Sequence, residues 1–254
     1  MAIETQTEIF EPVSDPALRA ELDALAKRYR GASGPGIRLL NTVGGSAEGL
    51  LNKLPAPVRG GLEGATARAL ETAMTVAGRS RAAIEDKPDW FNRALTAAMG
   101  AAGGFGGLPG AATELPFTIT MLLRSIQGIA AEHGFDPASE EVQLECLRIF
   151  ASAGPLKEDD GVDMGLIATR MSLSGTSVHA LVSKVAPRFA TVLGQKLAAQ
   201  TAPILGAVAG AAVNYTFTSY YQEVAHVHFG LKRLAIDTQT DEGVLREELV
   251  SRMQ

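Results

Sequence analysis

The sequence predicts an all-α protein, a single multi-helix domain with glycine-rich close helix packing. Apolar residues recur at spacings of three and four, and no stretch alternates with a period of two. Proline and glycine fall between these periodic stretches, where helices start and stop. Aromatic residues make up only 6% of the chain against 27 glycines, so small residues must let helix backbones approach closely.

Taken in order, Asp15-Pro16 reads as an N-cap followed by proline at the first helical position, opening a helix to about Tyr29 with Leu18, Leu22 and Leu25 on one face. A short helix over 37–53 is weakened by Gly44-Gly45. Pro57 opens a longer one to about Ile84, with Val58, Leu62, Ala65, Ala69, Ala73, Val76 and Ala77 as its apolar stripe. Pro88 starts a helix through Trp90 and Phe91 that ends in the glycines at 100–110. The next runs from Leu115 to Glu132 and stops at His133-Gly134. Asp136-Pro137 repeats the cap signature, and the helix behind it carries acids early and Arg148 late, as the helix dipole prefers. A helix over 177–200 buries Val178, Leu181, Val182, Val185, Phe189, Leu193 and Leu197, with a kink expected at Pro187. A long helix over 204–235 and a small polar helix at the end complete the chain.

Charge is unevenly distributed. Residues 164–222 contain no acid and only four cations, Arg170, Lys184, Arg188 and Lys196. Residues 1–15 hold four acids and no base; residues 237–254 hold five acids and two bases. A weakly basic, apolar body with acidic ends favours contact with a membrane or an apolar partner over a freely soluble enzyme. No window supplies the roughly 20 apolar residues of a membrane span; the longest candidate is 201–213, which suits a core or interfacial helix. The N-terminus lacks the basic and apolar regions of a secretory signal. The single cysteine, Cys146, shares a helical face with Val142, Ile149 and Ala153 and is expected to be a buried core thiol in a reducing cytosol.

Motifs for chemistry are weak. The run Gly103-Gly-Phe-Gly-Gly-Leu-Pro-Gly110 has neither the strand nor the Gly-Lys-Ser/Thr of a phosphate loop, and reads as a turn between close-packed helices. Pairs such as Gly100/Gly104 and Gly206/Gly210 have the spacing that lets helix backbones touch. Glu223-x-x-His226 followed by His228 resembles half of a di-metal site, but no second copy exists and the two histidines face different ways. His133 and His179 have no evident nucleophile or acid partner. Glu114 and Arg124 flank the apolar segment Leu115–Leu123; they are either helix-end charges in water or a paired charge inside the body. Asn214, after a run of small apolar residues, has the same two readings. Catalytic residues, cofactors and metal ligands are not indicated, and an acidic chain without a basic stripe does not suit nucleic acid.

Trp90, Arg93, Gly103-Gly104-Phe-Gly-Gly107, Glu114-Leu-Pro116, Thr120-Met-Leu-Leu-Arg124-Ser-Ile126 and Ile129-Ala130-x-x-His133-Gly134-Phe-Asp136 resemble the EcsC family. So do Leu147-Arg-Ile-Phe150, Arg170, Pro203-Ile-Leu-Gly206-x-x-x-Gly210-x-x-x-Asn214, Ala225-His-Val-His228-Phe229 and Arg233-Leu234. The resemblance covers roughly 55–236, between an acidic N-terminal segment with helices (1–54) and an acidic tail (237–254). It implies a bacterial, cytoplasmic, all-helical accessory protein, peripheral on the inner face of a membrane, since the family is named after a protein encoded beside an ABC exporter. Its partner would be membrane lipid or a membrane protein, an ABC transporter included. It supplies no established catalytic residue. Two other readings stay open: a soluble helical carrier of an apolar or lipid ligand, and a hydrolase assembled in the fold around Glu114, Arg124, Arg170 and Asn214. Membrane contact would run through 164–222, with Lys184, Arg188 and Lys196 meeting anionic headgroups and 201–213 inserting.

Overall fold

The structure, a computed structural model, describes residues 15–32, 54–83, 85–151, 206–253 and single positions between 180 and 197; at 82, 83, 107–113, 115, 150, 151, 206 and 209 it describes the backbone alone. All regular structure among these residues is helical. In chain order the helices are α1 (Pro16–Ala32), α2 (Ala56–Ala83), α3 (Asp89–Phe105), α4 (Gly107–Glu132), α5 (Glu140–Ala151), α6 (Gly206–Thr238) and α7 (Glu242–Met253). Positions 180, 182, 183, 186, 187, 190, 193, 194 and 197 are helical too, and Val182, Leu193 and Leu197 of the expected stripe are buried.

Several starts follow local chemistry. Asp15 Oδ1 accepts a hydrogen bond from the Ala17 amide at 2.9 Å, and Pro16 begins α1, where a missing N–H costs nothing. The cap signature at Asp136 acts differently. Asp136 Oδ1 takes the Ala138 amide at 2.9 Å, closing a local turn, and α5 begins only at Glu140, with Ser139 Oγ accepting from the Val142 amide at 3.3 Å. Gly134, at φ 82°, lets the chain turn back after α4, as the His133-Gly134 stop requires.

One expectation is narrowed and one corrected. The turn expected among the glycines at 100–110, between close-packed helices, is confined to one residue: α3 continues to Phe105, Gly106 breaks the helix, and α4 starts at Gly107 and packs back on α3. Pro109 falls within the first turn of α4, where no intrahelical N–H is needed, and the helix continues through Pro116. In α2 the buried face is Leu62, Thr66, Leu70, Ala73, Met74 and Ala77, while Ala65 and Val76 are exposed. Alanine at many positions of α2 fits either face, so the larger Leu70 and Met74 decide which one turns inward.

Among the described helices the most extensive contact is that of the antiparallel pair α3 and α6. Its register is read from side chains: Asp89 meets His226, Arg93 meets Gln222, Thr96 meets Thr218, and Gly100 abuts Gly210. α4 turns back along α3, bringing Ser125 to Asn92 and Glu114 to Gly103. α2 packs on α4, and α5 on α4 and α6. α1 and α7 pack together, with Arg252 bonded to Asp23 and Arg30 to the Arg252 carbonyl. Leu18, Leu22, Leu245, Leu249 and Met253 join the same apolar core as Leu123, Ile126, Phe217, Tyr221 and Phe229, so α1 and α7 are built into one body with the helices between them. Cys146 is fully buried in it with Val142 and Ile149, and burial holds its thiol far above the usual range.

Candidate functional site

α3 is built inside out. The residues it buries are Asn92, Thr96, Gly100, Gly103 and Gly104, a polar and glycine stripe at helical spacing. The residues it exposes are Trp90, Phe91, Ala94, Ala98, Ala102 and Phe105. Trp90 is 64% and Phe105 81% exposed. An amphipathic helix on a globular protein normally turns the other way. The register places the N-terminal half of α6 along this part of α3, and there α6 exposes Val208 (73%) and Tyr215 (49%). Phe117 on α4 is exposed as well.

Behind this apolar face lies a buried polar ladder. Asn214, with no exposed surface, donates from Nδ2 to the Thr96 carbonyl at 2.8 Å and to Glu114 Oε1 at 2.7 Å. Thr118 Oγ1 donates to the same Glu114 oxygen at 2.5 Å. One step along, the Thr96 and Thr218 hydroxyls are 2.8 Å apart. Next, Gln222 Nε2 donates to Ser125 Oγ at 2.8 Å and to the Asp89 carbonyl at 3.2 Å, while its Oε1 accepts from Arg93 at 3.1 Å. Asn92 donates to the Lys87 carbonyl and Ser125 Oγ. The glycines make room: a Cβ on Gly103 would collide with the Glu114 carboxylate.

The ladder ends in a junction of rings. Asp89 Oδ2 lies 2.9 Å from His226 Nε2, and His226 Nδ1 lies 3.3 Å from His133 Nε2. Burial alone would raise the Asp89 carboxyl, but the hydrogen bond and charge of His226, with Arg93 and Arg28, outweigh it and hold it below its usual value. Burial of the His133 ring, with the charges at His226 and Arg28, pushes His133 down to about 4. A histidine neutral in the fold but free to protonate when unfolded makes the protein less stable as pH falls. The unfolded chain binds the proton below about 6.5, and the native chain only near 4. Urea midpoints should therefore drop between those two values, and His133→Gln should flatten that part of the profile. An unchanged pH slope in the variant would place the effect elsewhere.

Of the four polar positions singled out in the sequence, the structure joins two. Glu114 and Asn214 are bonded to one another inside the body, so the buried reading holds for both. Arg124 is also buried, but it serves another contact: it donates to Ser80 Oγ at 2.6 Å and the Glu85 carbonyl at 3.1 Å and lies 3.5 Å from Asp86, tying α4 to the end of α2. Arg170, Lys184, Arg188 and Lys196 lie outside the described residues, as does His179. The Glu223, His226 and His228 side chains take three directions, to Arg28, to Asp89 with His133, and to Glu145. Among the described residues no three metal-ligating side chains converge. His228 and Lys232 instead gather around Glu145, where burial would raise the carboxyl but their bonds and charges hold it below its usual value.

A family model, that of the EcsC protein family, matches residues 74–234, which is most of the chain and includes all of α3, α4 and α5. The chain belongs to the EcsC protein family. No curated protein matches it, and no solved structure does. The EcsC match takes in the ladder, the ring junction and the exposed face of α3, whereas α1 and α7 lie outside it. Among the described residues of this EcsC protein, no helix is long and apolar enough to cross a membrane.

Sequence reasoning missed Asp89, Asn92, Thr96, Thr118, Ser125 and Gln222, and gave His133 no partner. One signal was present. Asn92, Thr96, Gly100 and Gly103 recur at spacings of four, four and three within an otherwise apolar helix.

Proposed function

We propose that this EcsC-family protein is a non-enzymatic accessory protein that works on the surface of a membrane, at its cytoplasmic face. The observation that carries the reading is the inverted polarity of α3, with its polar stripe sealed against α4 and α6 and its apolar stripe facing outward. Such a helix, about 25 Å long at 1.5 Å per residue, suits docking in the plane of the interface, with apolar side chains entering to about 5–10 Å. Spanning is not required, and no described helix offers it. A membrane protein of the exporter kind would be met in the same membrane, through a part of the chain other than α3.

Vesicle flotation tests the reading. The wild-type protein is expected to float with the vesicles. Ala98→Glu, at an exposed position of α3, should leave the fold intact and shift the protein back to the soluble fraction, because a carboxylate cannot enter the acyl region without a large desolvation cost. A wild-type protein that stays soluble with every lipid mixture would end the membrane reading. An Ala98→Glu variant that floats like wild type would move the contact away from α3.

A further inference from the structure

We infer that the α3 face selects loosely packed, curved lipid rather than anionic lipid; this rests on the membrane-surface reading and names the chemistry of its ligand. From Ala94 to Phe105 the helix has no charged side chain, and its one hydroxyl, on Thr96, is turned inward to Thr218. Its outward residues are alanines in the middle, bracketed by Trp90 and Phe91 at one end and Phe105 at the other. The charges just beyond are Glu85, Asp86, Lys87, Asp89 and Arg93, of which Arg93 is committed to Gln222, Asp86 to Arg81 and Arg124, and Asp89 to His226. Between Ala94 and Phe105 no side chain of α3 attracts an anionic headgroup. What remains is insertion of rings and small apolar side chains into gaps between headgroups, and such gaps increase with curvature.

The same composition argues against a protein on this face. A standard protein interface carries about ten direct hydrogen bonds. Between Ala94 and Phe105 the outward side chains of α3 offer no strong donor or acceptor. Acyl chains ask for none. The exposed Phe117, Val208 and Tyr215 on the helices packed against α3 extend the apolar surface without adding charge.

The test compares small sonicated with large extruded vesicles, each of pure phosphatidylcholine or with added phosphatidylglycerol, at low and high salt. Trp90 is the only tryptophan and sits on the face, so its emission reports burial directly. Expected are binding to the small phosphatidylcholine vesicles that is largely lost on the large ones, little response to salt, and a blue shift of Trp90. Phe105→Ser, at an exposed site that packing does not need, should lose most of that binding. Binding that follows phosphatidylglycerol content, falls with salt and ignores vesicle size would overturn the inference while leaving the membrane reading intact. Absence of binding to any vesicle would overturn both. Curvature-dependent binding with no change in Trp90 or in the Phe105→Ser variant would place the contact elsewhere and overturn it. A lipid-free dimer in sedimentation that Phe105→Ser dissociates would assign the face to a second copy instead.

Discussion

Gly100→Ala will destabilise the protein by about 3 kcal/mol, the upper range for an overpacked core. Alanine is the best helix former, so in an exposed helix the same change would help by about 0.5–1 kcal/mol. At Gly100 the added Cβ would lie 2.6 Å from Asn214 Nδ2 and closer still to the Gly210 carbonyl. Neither can swing aside. The first is held by the Thr96 carbonyl and Glu114, and the second is backbone. The α3 and α6 axes must separate, which loosens the most extensive contact among the described helices and draws Asn214 away from both its acceptors. Gly78→Ala is the control, because Gly78 lies within α2 and its added Cβ would meet nothing within 4 Å. For a chain of this size, thermal midpoints should fall by roughly 6–12 °C for Gly100→Ala and rise slightly for Gly78→Ala. Equal and small shifts in both would show that the α3–α6 crossing has slack, and that the glycine is not needed for close approach.

How far the sequence reveals such a contact depends on the side chains involved. The starts at Pro16 and just after Pro88 and the stop at His133-Gly134 were legible because proline and glycine act locally. The burial of Cys146 was legible because Val142 and Ile149 share its helical face. The spacing of Gly206 and Gly210 announced a close approach, and Gly210 makes one, with Gly100 on the facing helix. The orientation of α3 was not legible. Alanine is as compatible with water as with a core, so Ala94, Ala98 and Ala102 mark no face. Asn92 and Thr96 look like an ordinary solvent stripe until Ser125, Asn214 and Thr218 are brought against them. The ring junction was hidden for another reason: His133 and His226 are 93 positions apart, and Asp89 is 137 from His226. No local pattern links them. The ladder and the apolar face are two sides of one fact. A helix that spends its polar residues on its neighbours has only apolar ones left to show outside.

Asn214→Leu should cost about 3 kcal/mol, since it removes two buried hydrogen bonds and sets bulkier methyl groups against the acceptors they served. The amide orientation is fixed by chemistry: the Thr96 carbonyl can only accept, so the NH2 group must face it, and the same group reaches Glu114 Oε1. Leucine removes both donors. The Thr96 carbonyl loses its side-chain partner, and Glu114 Oε1 loses a bond of 2.7 Å and keeps that from Thr118. Asn214→Asp is the sharper probe, because it sets a second carboxylate against the first in a buried site. Two such groups cannot both ionise, so one must hold a proton, and the variant pays for that proton as pH rises. Its deficit relative to wild type should be largest at neutral pH and shrink as the solution is acidified toward the carboxylate range. The double variant Glu114→Gln with Asn214→Asp returns an amide and a carboxylate to the pair with their places exchanged. It should remove the pH dependence of the deficit while keeping the loss at the Thr96 carbonyl, which aspartate cannot serve as a donor. A constant deficit of Asn214→Asp across pH would mean that Glu114 does not feel the new charge, and that the 2.7 Å contact is not the bond that closes this end of the ladder.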